Sequence, residues 1–398
     1  MQRSYYLMRE VARHHEVQVV AFRQHAHQPD EARFKAALAA ISEFAKVSHV
    51  SDLPEDRYPG GRPGLALRSL LPGPPYTIRW GTCPAYRDAV RAAVAEFRPD
   101  VVHFDTISLA PYLEAIGDTP AALNHHNIES QMLLRRAEME RNPLKRFYFW
   151  QEGKRLARYE SRVARKFQAH LVCADLDAER LRDTVGDVPV TVVPNGVDLE
   201  YFHPAPPGTE LQPGSMLFVG GLGWYPNLSA IRFFLEDIWP LLSKQRPDIE
   251  FRIIGRNPPP DILAAAERDS RIQVLGFVDD IHPVFHSSMV YVCPIFDGGG
   301  TKLKMLDAMA MGKAIVAHPV ACEGLNVKHG EHVLEATDAD SFVAEIIRVL
   351  GDSSLRTRLE KNAREHVSQQ FSFTSIGADL SQLYETLSAA KNDRSNQQ

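Results

Sequence analysis

Residues 294–325, PIFDGGGTKLKMLDAMAMGKAIVAHPVACEGL, decide the fold class and contain the densest functional signal. A strand ends at Pro294, three glycines follow, and a helix runs from about Lys302 to Met311. Glycine lets a backbone approach a ligand closely, and the unpaired N–H groups of a first helical turn favour an anion. Lys302 and Lys304 add full positive charges at this end of the helix. The order strand, glycine loop, helix therefore predicts an anion site that fits a diphosphate; an ordinary βα turn with solvated lysines is the alternative.

The same alternation of short Val- and Ile-rich runs with longer helical patterns extends over almost the whole chain. It is typical of βαβ units and parallel sheets, so we predict an α/β fold. A segment crowded with Pro and Gly interrupts the pattern and indicates a linker. We therefore predict two Rossmann-like domains, 1–196 and 214–375, with a linker at 197–213 and a C-terminal helix and tail at 376–398. The predicted strands are Val17–Phe22, Val47–Val50, Val101–Phe104, Ala121–Asn124, Leu171–Cys173, Val190–Val193, Met216–Val219, Phe251–Ile254, Gln273–Leu275, Val290–Pro294, Ala314–Ala317 and His332–Glu335.

The composition is that of a globular, mildly acidic chain: 398 residues, 44% hydrophobic and 24% charged, with a net charge of -5. It excludes collagen, disorder and small disulfide scaffolds. No run approaches the roughly 20 apolar residues of a membrane-spanning helix, and the first residues lack the apolar core of a signal peptide, so we expect a cytoplasmic protein. The net charge gives no general attraction to nucleic acid, and no such partner is expected. The four cysteines are scattered without a CxxC pair, so no metal site is predicted. No cofactor is predicted either.

Three further loops follow predicted strands of the second domain: LFVGGLGWYPN, IIGRNPP and LGFVDD. The first is neither a phosphate-binding Walker loop nor a dinucleotide fingerprint, because the required later residues are absent. The carboxyl ends of parallel strands share one edge of a sheet, so we expect these loops to line one crevice. For the first loop, a tight turn packed against Trp224 is the alternative. The candidate residues in these loops are Gly220, Gly221, Arg256, Phe277 and Val278.

In the first domain, LNHHNIESQMLLRR (residues 123–136) places two histidines directly after a predicted strand. Successive residues of a strand point to opposite faces, so at most one of His125 and His126 faces a crevice. A histidine at a strand end is more often structural than catalytic, and the residues alone leave both roles open.

Residues 131–170 carry eleven Lys and Arg against four Glu, with an aromatic run at residues 147–150. Such a basic and aromatic segment can contact an anionic membrane surface, because each nearby cation contributes roughly 1 kcal/mol. A solvated helix whose aromatic stripe faces the core is the alternative.

The chain opens with an amphipathic pattern from Arg3 to His14, and the first predicted strand comes only afterwards. A doubly wound domain normally opens with a strand and a glycine loop. We expect the reading frame to continue upstream of Met1 and to encode an apolar run that ends in glycines. A domain that begins with its helix is the alternative.

Four segments, in the order PNGVDLEYF, LGFVDD, GGGTKLKMLDAMAMGKAIV and HGEHVLEATDADSF, resemble the retaining glycosyltransferases of GT-B fold that use nucleotide-sugar donors in polysaccharide and glycolipid assembly. The resemblance implies two Rossmann-like domains, the donor mainly on the second, the acceptor on the first, and reaction in the cleft. It also implies transfer of a hexose-like unit to a glycan or lipid-linked acceptor without a metal, because protein cations and helix dipoles stabilise the departing nucleoside diphosphate. A cytoplasmic protein with peripheral contact at the inner face of the membrane fits this expectation.

The resemblance also assigns individual donor-binding residues, and some family positions are altered. The usual Glu-x7-Glu pair falls on Gly299 and Asp307, so the carboxylate that typically holds a donor-sugar hydroxyl is missing, while Asp307 can serve the ribose. The basic residues that grip the diphosphate fall on Gly221 and near Pro226. Lys302 and Lys304 are the predicted replacements, with Arg256 a weaker one. The predicted donor site comprises Gly220, Gly221, Arg256, Phe277, Val278, Gly299, Gly300, Thr301, Lys302, Leu303, Lys304 and Asp307.

The family's strand-end histidine matches His126, which we predict positions the acceptor or the donor sugar and binds no metal. Two other activities fit the same two-domain scaffold. One is a nucleotide-sugar 2-epimerase, which needs no acceptor. The other is a catalytically inactive nucleotide-sugar-binding protein, which an N-terminal domain without its first strand would favour.

Overall fold

The computed structural model describes residues 2–25, 30–54, 58–298 and 302–395, in which strands and helices alternate. The first half contains α1 (Gln2–Val11), β1 (Gln18–Arg23), α2 (Glu31–Ser42), β2 (Lys46–Asp52), α3 (Gly61–Ser69), α4 (Tyr76–Arg79), α5 (Pro84–Phe97), β3 (Val102–Phe104), a 3-10 segment (Ile107–Ala115), β4 (Ala121–Asn124), α6 (Glu129–Met139), α7 (Pro143–Ala164), β5 (Ala169–Val172), α8 (Asp175–Val185) and β6 (Val190–Val192).

The second half contains β7 (Ser215–Val219), α9 (Tyr225–Phe233), a π-helical turn (Phe234–Ile238), α10 (Trp239–Gln245), β8 (Glu250–Ile254), α11 (Pro260–Arg268), β9 (Ile272–Gly276), α12 (His282–Ser287), β10 (Val290–Cys293), α13 (Leu303–Ala310), β11 (Ala314–Ala317), α14 (Pro319–Cys322), β12 (Leu334–Glu335), α15 (Ala339–Gly351), α16 (Ser353–Gln370) and α17 (Phe373–Ser395).

The chain divides into two compact units. Unit 1 is Met1–Pro194 together with Thr374–Gln398, and unit 2 is Asn195–Phe373. The segment from residue 197 to residue 213 packs with unit 2, and helix α17 packs with unit 1, so the chain returns to its first unit at the end.

Unit 2 holds a six-stranded parallel sheet in the order β12-β11-β10-β7-β8-β9. Strands β7, β10 and β11 are mostly apolar and are buried at every residue except Val219, which is partly buried, as the central strands of a parallel sheet require. One continuous core of buried side chains surrounds them. The chain leaves β7 toward β8 on one side and later returns to β10 on the other side, so β7 and β10 flank the point at which the strand order reverses. Ligands of open α/β sheets bind at the carboxyl ends of these two strands.

The parallel sheet of unit 1 is interrupted in the described residues. Strands β1 and β2 pair with each other, and β3-β4-β5-β6 form a separate sheet. In unit 2, the first strand of the sheet, β7, lies between β8 and β10. In the described part of unit 1, no strand occupies the equivalent central position. The prediction of a first domain without its first strand agrees with this arrangement.

Helix α1 packs in unit 1 through Leu7 and Val11, which are buried. Its Arg3 is also buried, and the guanidinium donates to the carbonyl oxygen of Pro194 at 2.7 Å and to Oδ1 of Asn124 at 3.3 Å. On α17, a Cβ on Gly377 would lie 2.3 Å from Cβ of Glu10, so glycine permits a close approach of the two helices. Within the described residues, no helix combines the length and the apolar character that crossing a membrane demands.

Candidate functional site

Two loops meet at the point in unit 2 where the strand order reverses. The first begins at Gly220 after β7, and the second begins at Pro294 after β10. A Cβ on Gly220 would lie 3.2 Å from Nζ of Lys304, and a Cβ on Gly298 would lie 3.2 Å from Cγ of Pro226. These short distances show that the two loops pack closely, and a side chain at either glycine would press on its neighbour.

Lys304, in the first turn of α13, projects its ammonium group toward the loop after β7. The Nζ atom donates a hydrogen bond to Oδ1 of Asn227 and lies 5.5 Å from the ring centroid of Phe218. Burial lowers the pKa of Lys304, because the charged form loses hydration. The thiol of Cys293 and the carboxyl group of Asp307 act in the opposite direction and raise the pKa of Lys304. A partly desolvated cation at a helix N-terminus is a site for a phosphate group.

Asp307 follows Lys304 by three residues on the same helix, so the two side chains lie on one face of α13. Burial raises the pKa of Asp307 to about 7, and the nearby charge of Lys304 opposes this rise. The carboxyl group can therefore gain or lose its proton near neutral pH. In its ionised form it can accept hydrogen bonds from ribose hydroxyls.

The loop after β8 completes this edge of the sheet. A Cβ on Gly255 would lie 2.3 Å from the carbonyl oxygen of Gly220, so the two loops are in direct backbone contact. The guanidinium carbon of Arg256 lies 3.9 Å from the ring centroid of Phe277, which follows β9 and is 54% exposed. This cation–π pair presents an exposed aromatic plane and a positive charge beside the Gly220 loop.

The remaining predicted donor residues are distributed as follows. Lys302 lies at the N-cap of α13, and its ammonium donates to the carbonyl oxygen of Gly298 at 2.8 Å, which holds this side chain against the loop after β10. A Cβ on Gly221 would meet no atom within 4 Å. Leu303 and Val278 are partly buried and pack against the core of unit 2. Gly299, Gly300 and Thr301 lie outside the described residues.

Unit 1 has its own polar cluster, at the carboxyl ends of β3 and β4. Nε2 of His126 lies 3.2 Å from Oδ1 of Asp105, and Ser4 donates to Oδ2 of Asp105 at 2.9 Å. Burial opposes the ionisation of Asp105, but hydrogen bonds with His103 and His126 lower its pKa well below the ordinary value. A bond to the carboxylate places the proton of a neutral His126 on Nε2, and Nδ1 is then a hydrogen-bond acceptor.

His125 has a different environment from His126. It is buried, its Nε2 lies 3.0 Å from Nδ1 of His170, and burial lowers its pKa to about 3. The side chain of His126 is 34% exposed. Of the two histidines, His126 is thus the one that a ligand can reach, and its role in catalysis remains a prediction.

Beneath this cluster lie two carboxyl groups, Glu129 and Glu160. Burial raises the pKa of Glu129 to about 8, and the charge of Glu160 adds to the rise. Burial likewise raises the pKa of Glu160 to about 7, although Ser130 donates a hydrogen bond to it through its hydroxyl at 2.5 Å. Both groups can be neutral acids near pH 7 and do not require a counterion.

Sequence reasoning missed three polar residues. Asp105 directly follows β3, Asn227 lies in the first turn of α9, and Asp297 precedes the glycines after β10. Each lies at a strand end or a helix start, which is the signal that could have found them. For the first two, however, the partners are distant in sequence: 21 residues separate Asp105 from His126, and 77 separate Asn227 from Lys304.

The chain matches two family models. The model described as Glycosyltransferase Family 4 covers residues 2–201, and the model described as Glycosyl transferases group 1 covers residues 213–352. The chain belongs to glycosyltransferase family 4. The matches lie on both halves of the chain, and the second includes the Gly220 loop, Lys304 and Asp307.

Curated relatives of this family 4 chain include the phosphatidyl-myo-inositol mannosyltransferase of Mycolicibacterium smegmatis, 28% identical over 56% of this chain and 59% of that protein. The lipopolysaccharide core biosynthesis mannosyltransferase LpcC of Rhizobium leguminosarum bv. viciae is 27% identical over 63% of this chain and 73% of that protein. The match to the mycobacterial enzyme thus spans less than two thirds of its length. These relatives are glycosyltransferases, and they give no support to the epimerase alternative.

Solved structures agree on the fold. Sucrose-phosphate synthase from Thermosynechococcus elongatus superimposes with a TM-score of 0.66 at 17% identity, covering 94% of this chain and 100% of that chain. Anabaena Alr3699/HepE, solved in complex with UDP, gives a TM-score of 0.64 at 16% identity over the same shares of the two chains. The predicted GT-B fold of this family 4 chain is confirmed. Among the described residues, no group of three or more His, Cys, Asp or Glu is placed to hold a metal ion.

Proposed function

We propose that the protein is a retaining glycosyltransferase that moves a hexosyl group from a nucleoside diphosphate sugar to a glycan or lipid-linked acceptor in cell-surface polysaccharide or glycolipid synthesis. The observation that carries the proposal is the approach of the Lys304 ammonium to the Gly220 loop at the switch point of unit 2. A glycine loop, a cation and the N-terminus of α13 together bind a diphosphate. Membership of family 4 and the transferase relatives support the reaction class.

In this proposal the ionised carboxylate of Asp307 accepts hydrogen bonds from the ribose, and Lys304 stabilises the negative charge that develops on the leaving diphosphate. Preorganised charge stabilises the leaving group most strongly in a partly desolvated site. The lowered pKa of Lys304 indicates that its site is partly desolvated. The acceptor belongs to unit 1. There, Nδ1 of His126 can accept a hydrogen bond from a hydroxyl, because Asp105 engages the other ring nitrogen.

The test is a transfer assay with UDP-glucose, UDP-galactose, UDP-N-acetylglucosamine and GDP-mannose, each with and without a lipid-linked acceptor such as phosphatidylinositol or undecaprenyl diphosphate-N-acetylglucosamine. We expect release of nucleoside diphosphate to depend on the acceptor, and NMR of the product to show the anomeric configuration of the donor. Conversion of the donor into its 2-epimer without an acceptor would establish the epimerase. Donor binding without any turnover would establish the inactive binding protein.

The proposal includes peripheral contact between unit 1 and an anionic membrane. Side chains of the end of α3 and the first turns of α7 are exposed although they are large and apolar. Arg155, on α7, donates to the carbonyl oxygens of Leu71 and Gly73 at 3.1 and 2.7 Å and so fixes the turn after α3 against α7. We call this surface the α3–α7 face; it consists of Leu67, Leu70, Leu71, Leu144, Phe147 and Trp150.

Exposed basic residues lie close in sequence to the residues of the α3–α7 face, among them Arg68, Arg141, Lys145 and Arg146. Trp and Phe enter the headgroup region of a bilayer, and each Lys or Arg near an anionic surface contributes about 1 kcal/mol. Exposed apolar side chains together with exposed cations therefore fit an anionic bilayer better than a neutral one. The earlier alternative, an aromatic stripe facing the core, applies to Tyr148, whose hydroxyl lies 3.3 Å from that of Ser69.

Co-sedimentation with lipid vesicles tests the contact. The vesicles consist of phosphatidylcholine alone or of phosphatidylcholine with about 30% of the anionic lipid phosphatidylglycerol. We expect binding to the anionic vesicles only, with loss in Phe147→Ser/Trp150→Ser. Leu263→Ser, which alters an exposed leucine of unit 2, is the matched control. Equal sedimentation of the double variant and the wild type would contradict the contact.

A further inference from the structure

Asp297, in the loop after β10, has one carboxylate oxygen with no hydrogen-bond partner in the part of the chain that the structure describes. Its Oδ1 accepts a hydrogen bond from the backbone N–H of Gly298 at 2.6 Å. Its Oδ2 is shielded from solvent and has no hydrogen-bond partner among the residues that the structure describes. A buried acceptor without a partner destabilises a protein by about 1–3 kcal/mol, and by more when it is charged. A ligand that supplies an O–H donor would satisfy such an atom.

The backbone on both sides of Asp297 is held by contacts of its neighbours. Gly298 has a φ of +102°, which favours glycine, and its α-carbon faces the ring of Pro226. The ammonium of Lys302 donates to the carbonyl oxygen of Gly298 at 2.8 Å. Phe296, on the other side of Asp297, makes an edge contact with Phe233 at 5.7 Å between ring centroids. The acceptor is thus preorganised at the edge of the sheet that carries Lys304 and the Gly220 loop.

The chemistry of the site limits what can donate to Oδ2. The phosphate oxygens of a nucleoside diphosphate sugar are acceptors with negative charge, and a carboxylate repels them. The ammonium groups of Lys302 and Lys304 suit the diphosphate, and Asp307 suits the ribose. The hydroxyl groups of the hexosyl part remain as O–H donors, and a neutral hydroxyl pairs with a carboxylate through a charge-assisted hydrogen bond.

We propose that Oδ2 of Asp297 accepts a hydrogen bond from a hydroxyl group of the donor's hexosyl residue and thereby selects the sugar. This inference rests on the proposed function, since it assumes a nucleoside diphosphate sugar at the switch point. A site built to pair with a hydroxyl discriminates strongly against a sugar that lacks it or presents it in the other configuration, because the buried carboxylate is then left unpaired.

The experiment compares wild type with Asp297→Asn by calorimetric titration with UDP, UDP-glucose, UDP-galactose, GDP and GDP-mannose. Asparagine keeps an oxygen for the N–H of Gly298 and replaces the unpaired acceptor with a donor. We expect the affinity for UDP and GDP to stay within about twofold, and the affinity for the preferred sugar nucleotide to fall at least about tenfold, the loss of one charge-assisted hydrogen bond. Asp237→Asn, an exposed aspartate of unit 2, is the matched control.

A second measurement uses the wild type alone, so that it does not depend on the folding of the variant. Donors deoxygenated at single positions of the hexose are titrated; one position should lower wild-type affinity by the same factor as Asp297→Asn, and that deoxy donor should show no further loss in the variant. Equal changes for UDP and its sugars in Asp297→Asn, or no sensitive hydroxyl in the wild type, would overturn the assignment while leaving the transferase intact. Failure of every sugar nucleotide to bind the wild type would overturn the proposed function and this assignment with it.

Discussion

Replacing Lys304 with methionine tests whether the ammonium group at the switch point binds a diphosphate. Methionine keeps an unbranched apolar stem but removes both the charge and the donor. The ammonium hydrogen-bonds to a neutral amide, Asn227, and within the described residues it forms no ion pair with a carboxylate. Its charge is therefore available to a phosphate, and burial strengthens the resulting interaction.

The size of the effect follows from this geometry. A hydrogen bond to a charged group contributes about 1.5–3 kcal/mol. Because about 1.4 kcal/mol corresponds to a factor of ten, Lys304→Met should weaken nucleoside diphosphate binding by roughly 10- to 150-fold. The free nucleoside lacks phosphates and should lose less than about twofold on the same scale. The pKa of Asp307 should also rise, because Lys304 supplies the charge that opposes its increase.

Calorimetric titration of wild type and variant with UDP and uridine, and with GDP and guanosine, measures the difference directly. Lys244→Met, which changes an exposed lysine on α10, controls for the loss of a positive charge from unit 2. If uridine and UDP lost affinity by the same factor, Lys304 would act on the structure of the site rather than on the phosphates. An unchanged affinity for UDP would refute the diphosphate site at this position.

Three other positions give independent checks. Gly255→Ala places a Cβ 2.3 Å from the carbonyl oxygen of Gly220, so the backbone must shift. The shift should cost about 1–3 kcal/mol of stability and lower the calorimetric melting temperature by several degrees. An unchanged melting temperature would contradict the contact. The pKa of Asp307 is raised to about 7, so the ionised form that accepts from the ribose grows between about pH 6 and pH 8. Titrations of the wild type should show the affinity for uridine rising over this range, and in Asp307→Asn the affinity should not change with pH. His126→Ala should lower turnover at an unchanged melting temperature, whereas His125→Ala should lower the melting temperature because it opens a buried contact; the opposite pattern would reverse their roles.

Strand positions were predictable because each strand is a short apolar run bounded by turn residues. Every one of the twelve predicted strands overlaps an observed strand, and the predicted range Ala121–Asn124 coincides with β4. The predicted helix after the glycine loop is α13, which begins at Leu303 rather than Lys302 because Lys302 forms the N-cap. These features depend on local periodicity, which a single sequence contains.

The side-chain partners within the site were not predictable from local patterns. Lys304 was expected to hold a phosphate, but its hydrogen bond to Asn227 depends on how α9 and α13 lie on the sheet. Lys302 is likewise predicted to bind a phosphate, and its ammonium also donates to the carbonyl oxygen of Gly298, four residues away. The contact between Lys304 and Asn227 depends on the strand order, because β7 and β10 become neighbours only when the chain crosses over. No periodicity within either segment encodes that crossing.

The interrupted sheet of unit 1 has a consequence for how the protein unfolds. Strands β1 and β3 each pair on one side only in the described residues, and the Tyr86 hydroxyl caps one free carbonyl oxygen, that of Val20, at 2.8 Å. The described core of unit 1 includes two separate clusters, whereas one continuous cluster fills unit 2. Cooperative units with smaller cores open first, so heating should melt unit 1 before unit 2 and give two transitions. The open strand edges then exposed are templates for pairing between molecules, which makes unit 1 the origin of aggregation.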